Sequence, residues 1–131
     1  MKKVGLIFII LITIVSCADL DNNLNNTKED ELSELKNHKN YILSLVATAT
    51  CSDNSQCNYI ALGSKPCGGP WEYLAYPSTM NTGLLFEQVN IYNLKENQFN
   101  KKWNIISDCM FVSPPIRVDC INNKCVAVYN N

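Results

Sequence analysis

Six cysteines, Cys51, Cys57, Cys67, Cys109, Cys120 and Cys125, follow residue 50 of a 131-residue chain that has only one other, Cys17, near its start. An even set in so short a chain reads as a disulfide framework of up to three bridges, given an oxidising compartment. Size explains the need for it. The part expected to pack, from about Glu31 or Tyr41 to Tyr129, is roughly 90 to 100 residues long and would bury only about 60–70% of its unfolded surface. Covalent links supplement so thin a core.

The N-terminus supplies the route to an oxidising compartment. Lys2 and Lys3 precede an uncharged apolar run from Val4 to Val15. As a helix this run spans about 18 Å, short of a ~30 Å hydrocarbon core, which suits the apolar part of a signal peptide rather than a permanent membrane span. It ends in Ile14-Val15-Ser16-Cys17, which resembles the lipobox of bacterial lipoproteins. That resemblance implies removal of residues 1–16, a diacylglyceryl group on the Cys17 thiol and membrane anchoring through several acyl chains, palmitate among them. Ala18 rather than aspartate follows Cys17, so the inner-membrane retention pattern is not matched and the outer membrane is favoured. Asp19 and Asp21 look like the acidic tether of some surface lipoproteins of the Bacteroidota.

Charge narrows the partners. Eleven Lys plus Arg against twelve Asp plus Glu give −1, and Lys2 and Lys3 leave with the signal peptide. With Arg117 the only arginine and no basic run, nucleic acid is set aside, because phosphate binding needs clustered cations. The abundance of asparagine reads as compositional bias.

Residues 17–27 read as the lipidated cysteine and a flexible tether, and residues 28–131 as one domain. Thr27-Lys28-Glu29-Asp30 has the form of a capping box, and Leu32, Leu35, Ile42, Leu45, Val46 and Ala49 follow at helical spacing, predicting a helix over Lys28–Ala47. After Cys51, Cys57–Leu62 and Trp71–Tyr76 read as strands bounded by Gly63 and Pro77. Leu85, Val89, Tyr92 and Phe99 share a stripe between Thr82 and Lys101, a second helix capped by Asn81 or Thr82. Ile116–Val128 reads as a β-hairpin turning at Asn122-Asn123, since asparagine tolerates the positive φ of a type I′ turn. The expected fold is α+β: two helices on a small, mostly antiparallel sheet, with the hairpin at its centre or edge.

An Asn122-Asn123 turn places Cys120 opposite Cys125 in a non-hydrogen-bonded pair about 4.5 Å apart, which favours a Cys120–Cys125 bridge. Cys51–Cys57 and Cys67–Cys109 then remain, the last closing a loop worth roughly 4 kcal/mol in the chain-entropy model. A rival pairing joins Cys51 or Cys57 to Cys120 or Cys125. Zinc is disfavoured, because no Cys-x2-Cys pair is present and His38, the single histidine, falls on the polar side of the first helix.

Gly63-Ser64-Lys65-Pro66-Cys67-Gly68-Gly69-Pro70-Trp71 is the most distinctive segment. It reads as a tight disulfide-anchored turn with Trp71 capping the core, or as a rigid loop presenting Lys65, Gly68, Gly69 and Trp71 to a partner. Val112-Ser113-Pro114-Pro115-Ile116 is a second stiff loop, either a connector or a presented strand of the kind found in small proteinase inhibitors. No catalytic constellation is recognisable: His38 has no evident nucleophile, the glycine-rich stretch lacks a phosphate-binding ending, and Asp53, Glu72, Asp108 and Asp119 read as solvated or capping carboxylates. No cofactor is expected.

A short helix, paired cysteines, Cys-Gly-Gly-Pro-Trp and a terminal Cys-x4-Cys hairpin together look like small uncharacterised lipoproteins of the Bacteroidota. That resemblance, over residues 28–128, implies the domain boundaries and no activity. The functional expectation is a lipid-anchored envelope protein acting as a small binding or structural module for an extracytoplasmic partner. A proteinase inhibitor presenting a disulfide-fixed loop is the alternative, and a small envelope enzyme ranks behind both.

Overall fold

The structure, a computed structural model, describes residues 26–130; Cys17 and the apolar run expected to be a signal peptide lie outside the described residues. Helix α1, Lys28–Ala47, begins where its capping box dictates. The Asp30 N–H donates to Thr27 Oγ1 while the Thr27 N–H donates to the Asp30 carboxylate, so two otherwise unpaired donors are satisfied reciprocally. No basic residue occupies its last turn. Lys124 compensates from the hairpin, its ammonium donating to the carbonyls of Ala47 at 2.6 Å and Ala49 at 2.8 Å, where the helix dipole favours a cation.

Strands β1, Cys57–Leu62, and β2, Glu72–Pro77, pair antiparallel with Cys57 opposite Pro77 and Leu62 opposite Glu72. Helix α2, Thr82–Lys102, is capped by Asn81, whose Oδ1 accepts from the Leu84 N–H. It ends at Asn104, which takes φ +49° and lets the Ile105 N–H reach back to the Asn100 carbonyl, closing the last turn as a Schellman-type stop. The two helices run antiparallel. Glu31, in the first turn of α1, meets Lys102 and Trp103 at the end of α2, and His38 meets Gln88 and Tyr92 midway.

Strand alternation divides the β1–β2 ribbon into two faces. Ile60, Leu62, Leu74 and Tyr76 face the helices and meet Leu35, Ile42, Leu85, Val89, Tyr92 and Phe99 in one core. Cys57 belongs to the opposite face. The hairpin of β3, Arg117–Ile121, and β4, Lys124–Val128, turns at Asn122 and Asn123, both at positive φ, with Cys120 opposite Cys125.

Three sequence expectations need correction. The hairpin forms its own two-stranded sheet and does not join the first one. Cys120 and Cys125 stand in the expected register yet are not bonded to each other; the bridges are Cys51–Cys120, Cys57–Cys125 and Cys67–Cys109, the rival pairing for the first two. Both hairpin sulfurs emerge on one face, and the packing of the hairpin against β1–β2 brings that face to Cys51 and Cys57. Third, His38 is not on a solvated face. Its Nε2 lies 3.0 Å from Gln88 Oε1 and its ring meets the Tyr92 ring edge-on, inside the helix–helix seam. Among the described residues no helix is long and apolar enough to cross a membrane.

Candidate binding surface

A polar stripe on α2 builds the surface. Asn93, Glu96, Asn97 and Asn100 recur at i, i+3, i+4 and i+7, beside the apolar stripe, and together they grip the loop that leaves β1. Asn93 Oδ1 accepts from the Gly63 N–H at 2.7 Å, Glu96 accepts from the Ser64 N–H, Asn97 Nδ2 donates to Ser64 Oγ, and Asn100 Nδ2 donates to the Ser64 carbonyl at 2.7 Å. Glu96 also accepts from the Tyr92 hydroxyl, and burial is the first cause that raises the Tyr92 pKa, with the adjacent carboxylate second. These asparagines are structural, a role that a compositional reading of the residue misses.

Gly63 is obligatory at the start of this loop. Its φ is +88°, and a Cβ there would lie 2.7 Å from Trp71 Cδ1. The chain then makes a turn in which the Gly68 N–H donates to the Lys65 carbonyl and the Lys65 N–H to the Gly69 carbonyl, both at 2.9 Å. Gly68 and Gly69 also have positive φ, with open space where a side chain would project.

Lys65 is not presented to solvent. Only 5% of it is exposed, and its ammonium donates to Asp108 Oδ1 and to the Met110 carbonyl, each at 2.9 Å, while standing 5.0 Å over the Trp71 ring. The paired ammonium lowers the Asp108 pKa, chiefly by hydrogen bonding and then by charge. Trp71 itself keeps 38% of its surface exposed, so it covers Lys65 from the side and is not the buried core cap expected from the sequence. The reason is geometric: the turn closes over the end of α2, and what reaches inward there is the lysine stem.

The Lys65 clamp and the Cys67–Cys109 bridge hold a second segment, which runs from Ile105 to Pro115 without a turn or bend. Ile105 packs on the core and Pro115 is buried, but between them Ile106, Met110 and Phe111 are 92%, 71% and 81% exposed. Among the described residues, no backbone N–H from 106 to 115 donates to a backbone carbonyl; pairing resumes where the Ile116 N–H meets the Val128 carbonyl. The sequence reading placed a presented segment at Val112–Ile116. The exposed apolar groups lie just before it and were missed, since they follow no period that marks a face.

The acidic residues do not converge. Asp53 caps a single 3-10 turn, Glu72 pairs with Lys39, Asp108 with Lys65, and Asp119 with Arg117. The sulfurs of Cys51, Cys57 and Cys125 lie within 4.8 Å of one another because two bridges stand side by side; bonded sulfurs offer no thiolate to a metal. A cleft of about 380 Å³ between the start of α1 and the end of α2 is lined by Glu31, Glu34, Lys95 and Lys102, of which Glu31 and Lys102 already neutralise each other. No protein-family model, curated protein or solved structure matches the chain.

Proposed function

We propose that this chain is a lipid-anchored protein of a bacterial cell envelope that acts by binding a partner through the segment from Ile106 to Phe111. The lipobox-like Ile14-Val15-Ser16-Cys17 supports the anchor, and the three bridges suit an oxidising compartment. One observation supports the binding role above all: three large apolar side chains stand in solvent on a segment fixed by a disulfide and a buried lysine. Unclaimed apolar groups cost solubility, and fixing them in place reduces the ordering entropy that binding must otherwise overcome.

Two experiments test the two halves. Labelling cells with a palmitate analogue should modify the wild-type chain and not Cys17→Ser; equal labelling refutes the anchor. A photoreactive residue in place of Phe111 should give a discrete adduct on intact cells, whereas one at Asn58, an exposed position on β1, should not. Equal, diffuse labelling from both positions would refute the binding segment.

A further inference from the structure

We infer that the segment from Cys109 to Pro115 is the inhibitory loop of a serine-endopeptidase inhibitor, with Phe111 the residue that enters the enzyme's primary apolar pocket. The inference rests on the binding role proposed above and names the partner class. It is carried by the direction of the backbone. Met110 turns its carbonyl toward the body of the domain, where it accepts from the buried Lys65 Nζ at 2.9 Å. In an extended chain, neighbouring residues point their carbonyls to opposite sides, so those of Cys109 and Phe111 point away from Lys65, and no backbone hydrogen bond occupies this stretch. An enzyme cleft that binds its substrate as an added strand needs alternate residues free in this way. Phe111 is the position that combines a carbonyl so directed with an 81% exposed aromatic side chain.

Both sides of the Phe111–Val112 bond are tied down. On the acyl side stand the Cys67–Cys109 bridge and the Lys65 hydrogen bond; on the amine side stand buried Pro115 and the hydrogen bond from the Ile116 N–H to Val128. The consequence is chemical. The enzyme's serine oxygen adds to the Phe111 carbonyl carbon and its proton passes to the enzyme's imidazole; the C–N bond to Val112 then breaks and the new Val112 amine takes that proton. Held within reach, the amine attacks the acyl carbon, displaces the serine and returns the proton, so the peptide bond is restored with nothing consumed. A free peptide would lose its amine fragment to solvent, and water would complete hydrolysis. The clamp therefore acts by keeping the reverse reaction intramolecular.

The test uses the purified mature chain with chymotrypsin and trypsin as probes. Chymotrypsin should be inhibited and trypsin not, with slow, single-site nicking at Phe111–Val112. Phe111→Asp should weaken chymotrypsin inhibition at least roughly a hundredfold, as expected of a pocket-filling residue. Phe111→Lys should transfer inhibition to trypsin, a switch that a merely structural role cannot produce. Because the side chain is exposed, both variants should melt like wild type. Turnover of the loop without inhibition, or inhibition unchanged in Phe111→Asp, overturns the inference. So does partition of the chain, through Phe111, into phosphatidylethanolamine vesicles with no effect on either enzyme. If chymotrypsin is untouched while the Phe111 photoadduct on cells persists, the inhibitor inference falls and the binding role stands; if both fail, both fall.

Discussion

The ammonium of Lys65 donates at 2.9 Å to the carbonyl oxygen of Met110, joining a turn after β1 to an exposed segment 45 residues later in the chain. A buried lysine is retained only when its donors are satisfied, and here Asp108, Met110 and the face of Trp71 do so. Lys65→Met keeps most of the stem's packing and removes the donors. We expect it to cost about 2 kcal/mol, the scale of a charge-assisted hydrogen bond. Backbone order in residues 106–113, read by NMR relaxation, should fall well before it falls in α2. Unchanged order in that segment would show that the disulfide alone fixes it.

Gly63 and Gly68 both have positive φ, but only Gly63 faces an obstacle. Gly68→Ala should cost about 1 kcal/mol from backbone strain alone. Gly63→Ala adds a clash with Trp71 and Glu96 and should cost clearly more, with a shift in tryptophan fluorescence. Trp71→Ala, being a change at a partly exposed site, should cost less than the roughly 3–5 kcal/mol of a fully buried aromatic. Thermal melts of the three variants check the order.

Asp108 gives the clamp a pH dependence of defined sign. Its hydrogen bond from Lys65 lowers its pKa in the folded chain below the ordinary 3.8. The stabilisation is therefore complete above that value and is lost as pH falls through the lower, folded one. Backbone order in residues 106–113, read by NMR relaxation, should fall toward the acid end of a series from about pH 5 to about pH 2. Asp108→Asn should flatten that response. A local readout is needed because Asp30, Glu31 and Asp53 are also lowered, by Thr27, Lys102 and Ser55 respectively.

Local chemistry made much of the fold legible. The bounds of α1 follow from Thr27, Asp30 and an apolar stripe, and the hairpin register from Asn122-Asn123, because caps and tight turns are decided within a few residues. What depends on distant neighbours was not legible. Cys120 and Cys125 carry no mark in sequence of which sheet they face. Lys65 lies among glycines and prolines, where a charge is usually solvated, and its carboxylate partner is 43 residues away. The grip of Asn93, Asn97 and Asn100 was hidden by the general abundance of asparagine, because the Gly63–Ser64 backbone they hold is 30 to 36 residues away in the chain. Ile106, Met110 and Phe111 occupy an aperiodic segment, so exposure there could be learned only from the packed chain.

The two hairpin bridges should be non-additive in stability. Cys51–Cys120 and Cys57–Cys125 span sequence separations of 69 and 68, so either alone closes a loop worth roughly 4 kcal/mol in the chain-entropy model. With one in place, the other closes only the short circuit from Cys51 to Cys57 and from Cys120 to Cys125, worth about 3 kcal/mol. Each double-serine variant that removes one bridge should therefore lose about 3 kcal/mol, and removing both should leave too little to hold the hairpin on β1–β2. The pairing itself can be read directly. Cleavage before Asp53, after Arg117 and after Lys124 under non-reducing conditions separates all four cysteines. The C-terminal peptide beginning at Cys125 should then remain linked to the peptide holding Cys57. Finding it linked to the Cys120 peptide would restore the cross-strand bridge and detach the hairpin from the rest of the fold.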